Sequence, residues 1–467
     1  MERPDRVHAL PALPRTPGTG KADRRRIARW AAALENRQDR TVTGLGRADA
    51  DSAGPAPLPG RADALRRVRD WICEYPDRVI ELLAPWSSVP AARLEVTATL
   101  AALDGAAADL ELHAPPRVPR SWVYMPSNVV LYTYALYLLV PALWTEQLWF
   151  RPSSRVAAAT LALHDALAPI HGIDLRVFSG TQADFAALRA GQAGQVVFTG
   201  KYDNAEQVRA TLDTGQVMTF FGQGSNPIVV GPHADVATTV RDGVAMRLLN
   251  SGQDCFAPDV YFVHASVADR LVTGITEHLL HIDAAPRHTG EPSVLRPAAA
   301  QDLARIAHHV GSHPDRVVHG GQIDLRRALI HPTVLRWDLA DAPLLDEMFA
   351  PVFNIVVWDD EAALRATLDL PHYRERMMCI SLYGTDPDLA DWCAQRATVS
   401  LDATVVATDD PGLPFGGIGG RANYTATRDA VEVGPVLVSA SAARHRALFA
   451  AAETGTGTTL RTERTAS

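Results

Sequence analysis

The chain has almost no lysine: of its 45 basic residues only Lys21 and Lys201 are lysines, and arginine supplies the rest. Such a skew follows the base composition of a coding sequence, so an arginine where lysine is usual carries little functional meaning. There is no basic excess either, because the formal net charge is −8 over 467 residues. Nucleic-acid binding draws on a positive surface, and this balance argues against it. Cysteine is scarce. Cys73, Cys255, Cys379 and Cys393 form no CxxC pair and no zinc-ligand spacing. Unpaired thiols in a long chain fit a reducing cytoplasm. No charged-then-apolar leader opens the chain, so no signal peptide is expected. The apolar run "VVLYTYALYLLVPALW" (129–144) is shorter than the ~20 residues of a bilayer crossing and contains Pro141. A buried helix is expected there, and no membrane association.

Hydrophobic residues are plentiful, and the length calls for two or three packed domains. Residues 1–58 are rich in Pro, Gly, Arg and Ala, with an amphipathic pattern at 22–36 and a linker-like "DSAGPAPLPG" (51–60). They read as a peripheral or disordered leader, and "ETGTGTTLRTERTAS" (453–467) as a loose tail. Between them, short apolar strands alternate with helical stretches. "QLWFR" (147–151), "DLRVFSG" (174–180), "QVVFTG" (195–200) and "QVMTFFG" (216–222) form one series. "DVYFVH" (259–264), "VFNIVVW" (352–358) and "CISLYG" (379–384) form a second. Helices are expected at 155–167, 181–190, 203–212, 267–282 and 360–368. That alternation defines an α/β fold with parallel sheets built from βαβ units. Clefts between such domains are where ligands sit.

Cys255 lies in "NSGQDCFAPDVYFVH" (250–264), just before a strand of the second series. By itself it reads as a buried structural thiol. Several blocks around it change that reading. Gly252-Gln253 precedes Cys255 by one residue, and Asn250 stands two before the glycine. "YMPSNVV" (124–130) carries Asn128. "LWFRPSS" (148–154), "VFTGK" (197–201), "EMFAPVF" (347–353) and "LPFGGIGG" (413–420) follow in order.

Taken together, these blocks resemble the aldehyde dehydrogenase superfamily over roughly residues 60–445. The resemblance implies two Rossmann-like α/β domains plus a small oligomerisation β-element. A nicotinamide-cofactor-binding domain would span 59–223, a catalytic domain 224–425 and an oligomerisation segment 426–452, with 102–117 belonging to the oligomerisation element. It implies Cys255 as nucleophile and Asn128 as oxyanion donor. It also places Arg151 and Ser154 at the adenine ribose, Gly200 and Lys201 at the phosphates, Glu347 on the nicotinamide ribose and Phe349 near the ring. The cofactor would be NAD or NADP, and the assembly a homodimer or homotetramer. A thiolate adds to an aldehyde to give a thiohemiacetal, whose oxyanion needs preorganised donors.

Four departures from the family pattern matter. Arg151 replaces the usual lysine. Ser154 stands where many NAD-preferring members have a glutamate, so with Arg151 and Arg155 beside it a 2′-phosphate would be tolerated. Lys201 and Ala205 make the phosphate turn atypical. The largest departure is Phe221, 34 residues before Cys255, where the family places a general-base glutamate. Such a base is typically worth about 10² to 10⁴ in rate. Its loss points to a thiol acceptor such as coenzyme A, and so to an NAD(P)-dependent enzyme interconverting an aldehyde and an acyl thioester. The alternatives are a hydrolytic aldehyde dehydrogenase giving a free acid, and a catalytically silent binding protein on the same fold. His278, His281, His308, His309, His313 and His319 offer no spacing that ties a third ligand to a pair, so no metal site is expected.

Overall fold

A computed structural model of the chain describes residues 56–284 and 298–453. The expected leader, apart from 56–58, lies outside them, with its helix at 22–36; so does the tail from 454 on.

Two seven-stranded sheets organise the described chain. Its strands, in chain order, are β1 (Val118–Tyr124), β2 (Thr145–Arg151), β3 (Leu175–Val177), β4 (Gly194–Thr199), β5 (Gln216–Phe221), β6 (Ile228–Val230), β7 (Tyr261–His264), β8 (Val317–His319), β9 (Ile323–Asp324), β10 (Leu329–Ile330), β11 (Thr333–Asp338), β12 (Val352–Trp358), β13 (Cys379–Tyr383), β14 (Thr398–Leu401), β15 (Asn423–Ala426) and β16 (Val431–Val433). The first sheet runs β16-β15-β5-β4-β1-β2-β3 and the second β14-β13-β6-β7-β12-β11-β8, while β9 and β10 pair separately. Neighbours are parallel except where β15 meets β5 and β16, where β11 meets β8, and in the separate β9–β10 pair.

The central strands read as apolar runs because helices cover both faces of each sheet. In β4 and β5 every residue but the last is buried. The intervening helices start at recognisable signals. Thr181 and Asp184 form a reciprocal capping box at Gln182–Arg189, and Asp360 caps Glu361–Leu368. Arg189 is buried by serving as an internal clamp, donating to the carbonyls of Val208 and Thr211, each at 3.1 Å.

Two stretches differ from expectation. Residues 102–113, read above as part of a β-element, form the second half of the helix Val89–His113. The stretch "ALDGAAADLELH" (102–113) is dominated by strong helix formers, and that local preference prevails. The apolar run 129–144 is buried and helical but not one regular helix. It passes from Leu131–Tyr134 (α) through Ala135–Leu139 (π) to Pro141–Leu143 (3-10). Pro141 has no N–H to continue the ladder, and the π turn absorbs the offset. Late in the chain, β15 leaves the second half of the sequence to pair with β5 of the first sheet. The division expected at 425/426 therefore cuts through a strand.

Candidate active site

The registers of the first sheet put the ends of four strands side by side: Tyr124 opposite Arg151 and Phe198, and Thr199 opposite Phe221. The loops that follow them share one edge of the sheet. This carboxyl edge, where strand order reverses about β1, is the usual ligand position in open α/β sheets. The Asn128 loop, the Arg151–Ser154 turn, the Gly200–Lys201 turn and Phe221 all lie along it.

Cys255 is held by a strained turn. Asn250, Ser251 and Gly252 adopt left-handed φ of 49°, 58° and 75° in succession. At Gly252 a Cβ would sit 2.3 Å from the Ala350 carbonyl, so only glycine fits there. The buried Arg247 supports the turn, donating to the Gly252 carbonyl and the Pro258 carbonyl, both at 2.7 Å, and to Asp259 Oδ1 at 3.1 Å. Asp259 Oδ1 in turn accepts the Met348 N–H at 2.7 Å. One buried ion pair thus joins the Cys255 turn to the 347–349 segment, where Phe349 itself has a left-handed φ of 49°. Asn226 closes the cage. Its amide donates to the Cys255 carbonyl, and its Oδ1 accepts from the Cys379 N–H at 3.3 Å.

Cys255 remains partly accessible. Burial of the sulfur, then the charges of Asp254 and Glu347, push its thiol well above the usual range, and the Asn128 side chain opposes them. Asn128 Nδ2 is buried and makes no hydrogen bond of normal geometry, although the amide is close enough to favour the thiolate. An unsatisfied amide beside a thiol is costly unless a ligand oxygen completes it. Glu347 receives the side-chain amide of Gln223. Burial, then Asp259, raise its carboxyl above the ordinary range, and Gln223, Arg305 and Arg247 work against that shift. Cys255, Asn128 and Glu347 are therefore brought together.

The remaining expected cofactor residues lie along the sheet edge. Arg151 Nε donates to the Gly180 carbonyl at 2.9 Å, and Ser154 is exposed in the turn beyond it. Arg155, counted above with the 2′-phosphate side, is turned toward the Cys255 block instead, donating to Gln253 Oε1. Gly200 has a φ of 149°, and a Cβ there would meet only the Phe198 ring, at 3.4 Å, so the backbone is open to a ligand. Lys201 is exposed at the N-terminus of Tyr202–Arg209, a helix end that favours anions. This open backbone, the helix end and the orphaned Asn128 amide fit a nicotinamide dinucleotide.

Two of the histidines, His309 and His313, have other partners. His309 Nε2 lies 3.1 Å from Asn354 Oδ1, and His313 Nδ1 lies 2.8 Å from the His309 carbonyl. Among the described residues no group of three His, Cys, Asp or Glu is placed to hold a metal ion, and no helix is long and apolar enough to cross a membrane.

The family model for the aldehyde dehydrogenase family matches residues 125–420. The chain belongs to that family. It is 28% identical over 202 residues to the aldehyde dehydrogenase family 3 comG protein of Dictyostelium discoideum, a match covering 42% of this chain and 41% of that one. It is 24% identical over 230 residues to the 4,4'-diaponeurosporen-aldehyde dehydrogenase of Staphylococcus aureus, covering 48% and 47%. The chain spans about half the length of the curated relatives it matches. Among solved structures, substrate-bound AldH of Staphylococcus aureus aligns with a TM-score of 0.68 at 18% identity, over 91% of this chain and 92% of that one. The aldehyde dehydrogenase of Mycobacterium tuberculosis, complexed with NAD+, aligns at 0.67 and 18%, over 90% and 88%. These likenesses establish the aldehyde dehydrogenase fold.

Gln223, Asn226, Arg247 and Asp259 went unremarked as site residues in the sequence. Gln223 and Asn226 stand in "GQGSNP" (222–227), between the apolar runs of β5 and β6, and that polar interruption beside Phe221 was the available signal.

Proposed function

We propose that the chain is an NAD(P)-linked oxidoreductase acting on an aldehyde and its acyl thioester through Cys255. The observation that carries this reading is a partly accessible cysteine facing an unsatisfied amide, with an aromatic ring where a general base would stand. Cys255 Sγ bonds to the aldehyde carbon as its proton leaves. Glu347 is the acceptor within electrostatic reach, since its raised proton affinity brings it toward that of a thiolate. Asn128 Nδ2 and the Cys255 N–H hold the resulting oxyanion. The nicotinamide supplies the hydride acceptor when bound. Oxidation leaves an acyl group on Sγ as a thioester. An incoming thiol, coenzyme A as the candidate, takes the acyl group by exchange and returns the cysteine to its thiol form. Thiols attack thioesters without a dedicated base more readily than water does, which suits Phe221.

Either NAD or NADP is compatible with the absence of a carboxylate at Ser154. Subunit pairing into a dimer or tetramer belongs to the same reading by family resemblance, as does an intracellular setting.

A hydrolytic reading has one observation in its favour: Glu347 lies close enough to Cys255 to influence it and could orient water. The curated relatives described above are also named as aldehyde dehydrogenases. Incubation with an aldehyde and NAD+ or NADP+, with and without coenzyme A, separates the two, together with mass spectrometry of an acyl adduct on Cys255. Acyl-CoA formation and an adduct that coenzyme A discharges are expected. Acid formation at an undiminished rate without coenzyme A overturns the thioester reading.

A further inference from the structure

The first two turns of the helix Val89–His113 touch both halves of the candidate site. At its start, the Ser88 N–H donates to Asn250 Oδ1 at 2.8 Å and Ser87 Oγ lies 3.3 Å from the same oxygen. Asn250 opens the left-handed turn that carries Cys255. Seven residues on, Glu95 is buried and its Oε2 accepts the N–H of Leu131 at 2.8 Å and of Tyr132 at 3.5 Å. Those are the first donors of the short helix that begins where the Asn128 loop ends, and helix geometry leaves them without internal partners. Val130, at the capping position, has no side-chain acceptor to offer. A cap is therefore supplied from another helix, by a carboxyl whose burial is unfavourable in itself.

We propose that Glu95 is a positioning residue for the reaction: by capping the helix at Leu131 it fixes the Asn128 loop against the Cys255 turn, which the same helix holds through Asn250. The inference rests on the roles proposed above for Cys255 and Asn128. The helix acts as a brace whose two attachment points set the distance between amide and sulfur. Small misplacements of a reacting group can cost up to about 10²-fold in rate. Asp254, next to the nucleophile, is the charged neighbour that Glu95 faces from the turn.

The test is a double-mutant cycle on the full chain, with hexanal as probe aldehyde, NAD+ or NADP+, and coenzyme A. Glu95→Ala is expected to lower kcat by about 10- to 100-fold with KM for hexanal changed less than about threefold. Glu95→Gln, which keeps an acceptor oxygen, should recover most of that loss. In an Asn128→Ala background the Glu95→Ala change should cost less than about threefold, because the group it positions is gone. Should Glu95→Ala fail to fold, Glu95→Asp is used in its place, since it keeps the carboxyl but is one methylene short. An equal loss from the Glu95 change in both backgrounds, no loss at all, or a Gln variant as impaired as the Ala variant overturns the positioning role. An Asn128→Ala variant with undiminished kcat, or a native chain that does not turn hexanal over, overturns the underlying reading, and this one with it.

Discussion

The rings of Phe221 and Tyr137 lie 5.1 Å apart, centroid to centroid, inclined by 30°. Phe221 ends β5 and packs at the margin of the first sheet's core, while Tyr137 sits in the π turn and lies within electrostatic reach of Cys255. The position at which the sequence resemblance implies a carboxylate is therefore occupied by an apolar contact against the broken helix. Phe221→Glu should supply a base at the sheet edge and disturb that contact. Acid production from hexanal without coenzyme A is expected to rise about tenfold or more, within the range a positioned base contributes. Product analysis by chromatography checks it; unchanged acid output would mean that Phe221 is not what limits hydrolysis.

The charge of Glu347 raises the proton affinity of Cys255, so neutralising the carboxylate should release the thiol. In the cofactor-free protein, alkylation of Cys255 by iodoacetamide should still be climbing above pH 9, because burial holds the thiol protonated. Glu347→Gln is expected to speed that alkylation by about three- to tenfold at pH 9 while lowering aldehyde turnover. Peptide-level mass spectrometry resolves Cys255 from the exposed Cys73. Slower labelling in the variant would show that Glu347 acts otherwise.

Arg247 is fully buried, and its removal leaves Asp259 as an uncompensated charge that also serves the Met348 N–H. Arg247→Ala should cost about 3–5 kcal/mol of stability, as breaking a buried pair does. It should also loosen both the 250–255 turn and the 347–349 segment. Urea unfolding measures the first effect, and loss of hydrogen-exchange protection in the two segments the second. A loss below about 1 kcal/mol would place the support of these turns elsewhere.

What the sequence disclosed and what it concealed follow from range. The strands expected from short apolar runs recur as β2 to β5, β7, β12 and β13 within a few residues, because period and burial are local properties. Cys255, Asn128 and Glu347 were singled out through motif blocks, and the fold brings the three together. Glu95 escaped notice because its partners stand 36 and 37 residues away on another helix, and a lone glutamate on an Ala-rich helix looks solvated. Arg155 misled for the same reason: its neighbours in sequence suggested a phosphate, whereas its partner Gln253 is 98 residues on. At 102–113, family resemblance pointed to strand, while the alanine-rich composition already favoured helix.

Two buried carboxyls make stability fall on the alkaline side. Burial raises Glu95 to about 8 and Asp109 to about 7 in the folded chain, whereas in the unfolded chain they titrate near 4.5 and 3.8. Between those limits the folded chain binds more protons than the unfolded one, so the stability linked to these groups is full below pH 4 and is lost as pH rises toward 8. His171 acts in the opposite sense. Its Nδ1 accepts the Ile173 N–H at 2.9 Å, and burial lowers its pKa from 6.5 to about 4, so its contribution is lost as pH falls from 6.5 toward 4. The two trends oppose each other in mildly acidic solution and leave the carboxyl effect alone above pH 6.5. Glu95→Gln removes one ionisation while keeping an acceptor for the Leu131 N–H. Its stability relative to the native chain should therefore improve steadily from pH 6.5 to 8, by an amount on the order of a few kcal/mol at most. Thermal or urea unfolding of both proteins across that range checks it. A constant difference between them would mean that Glu95 is already ionised in the folded chain at neutral pH.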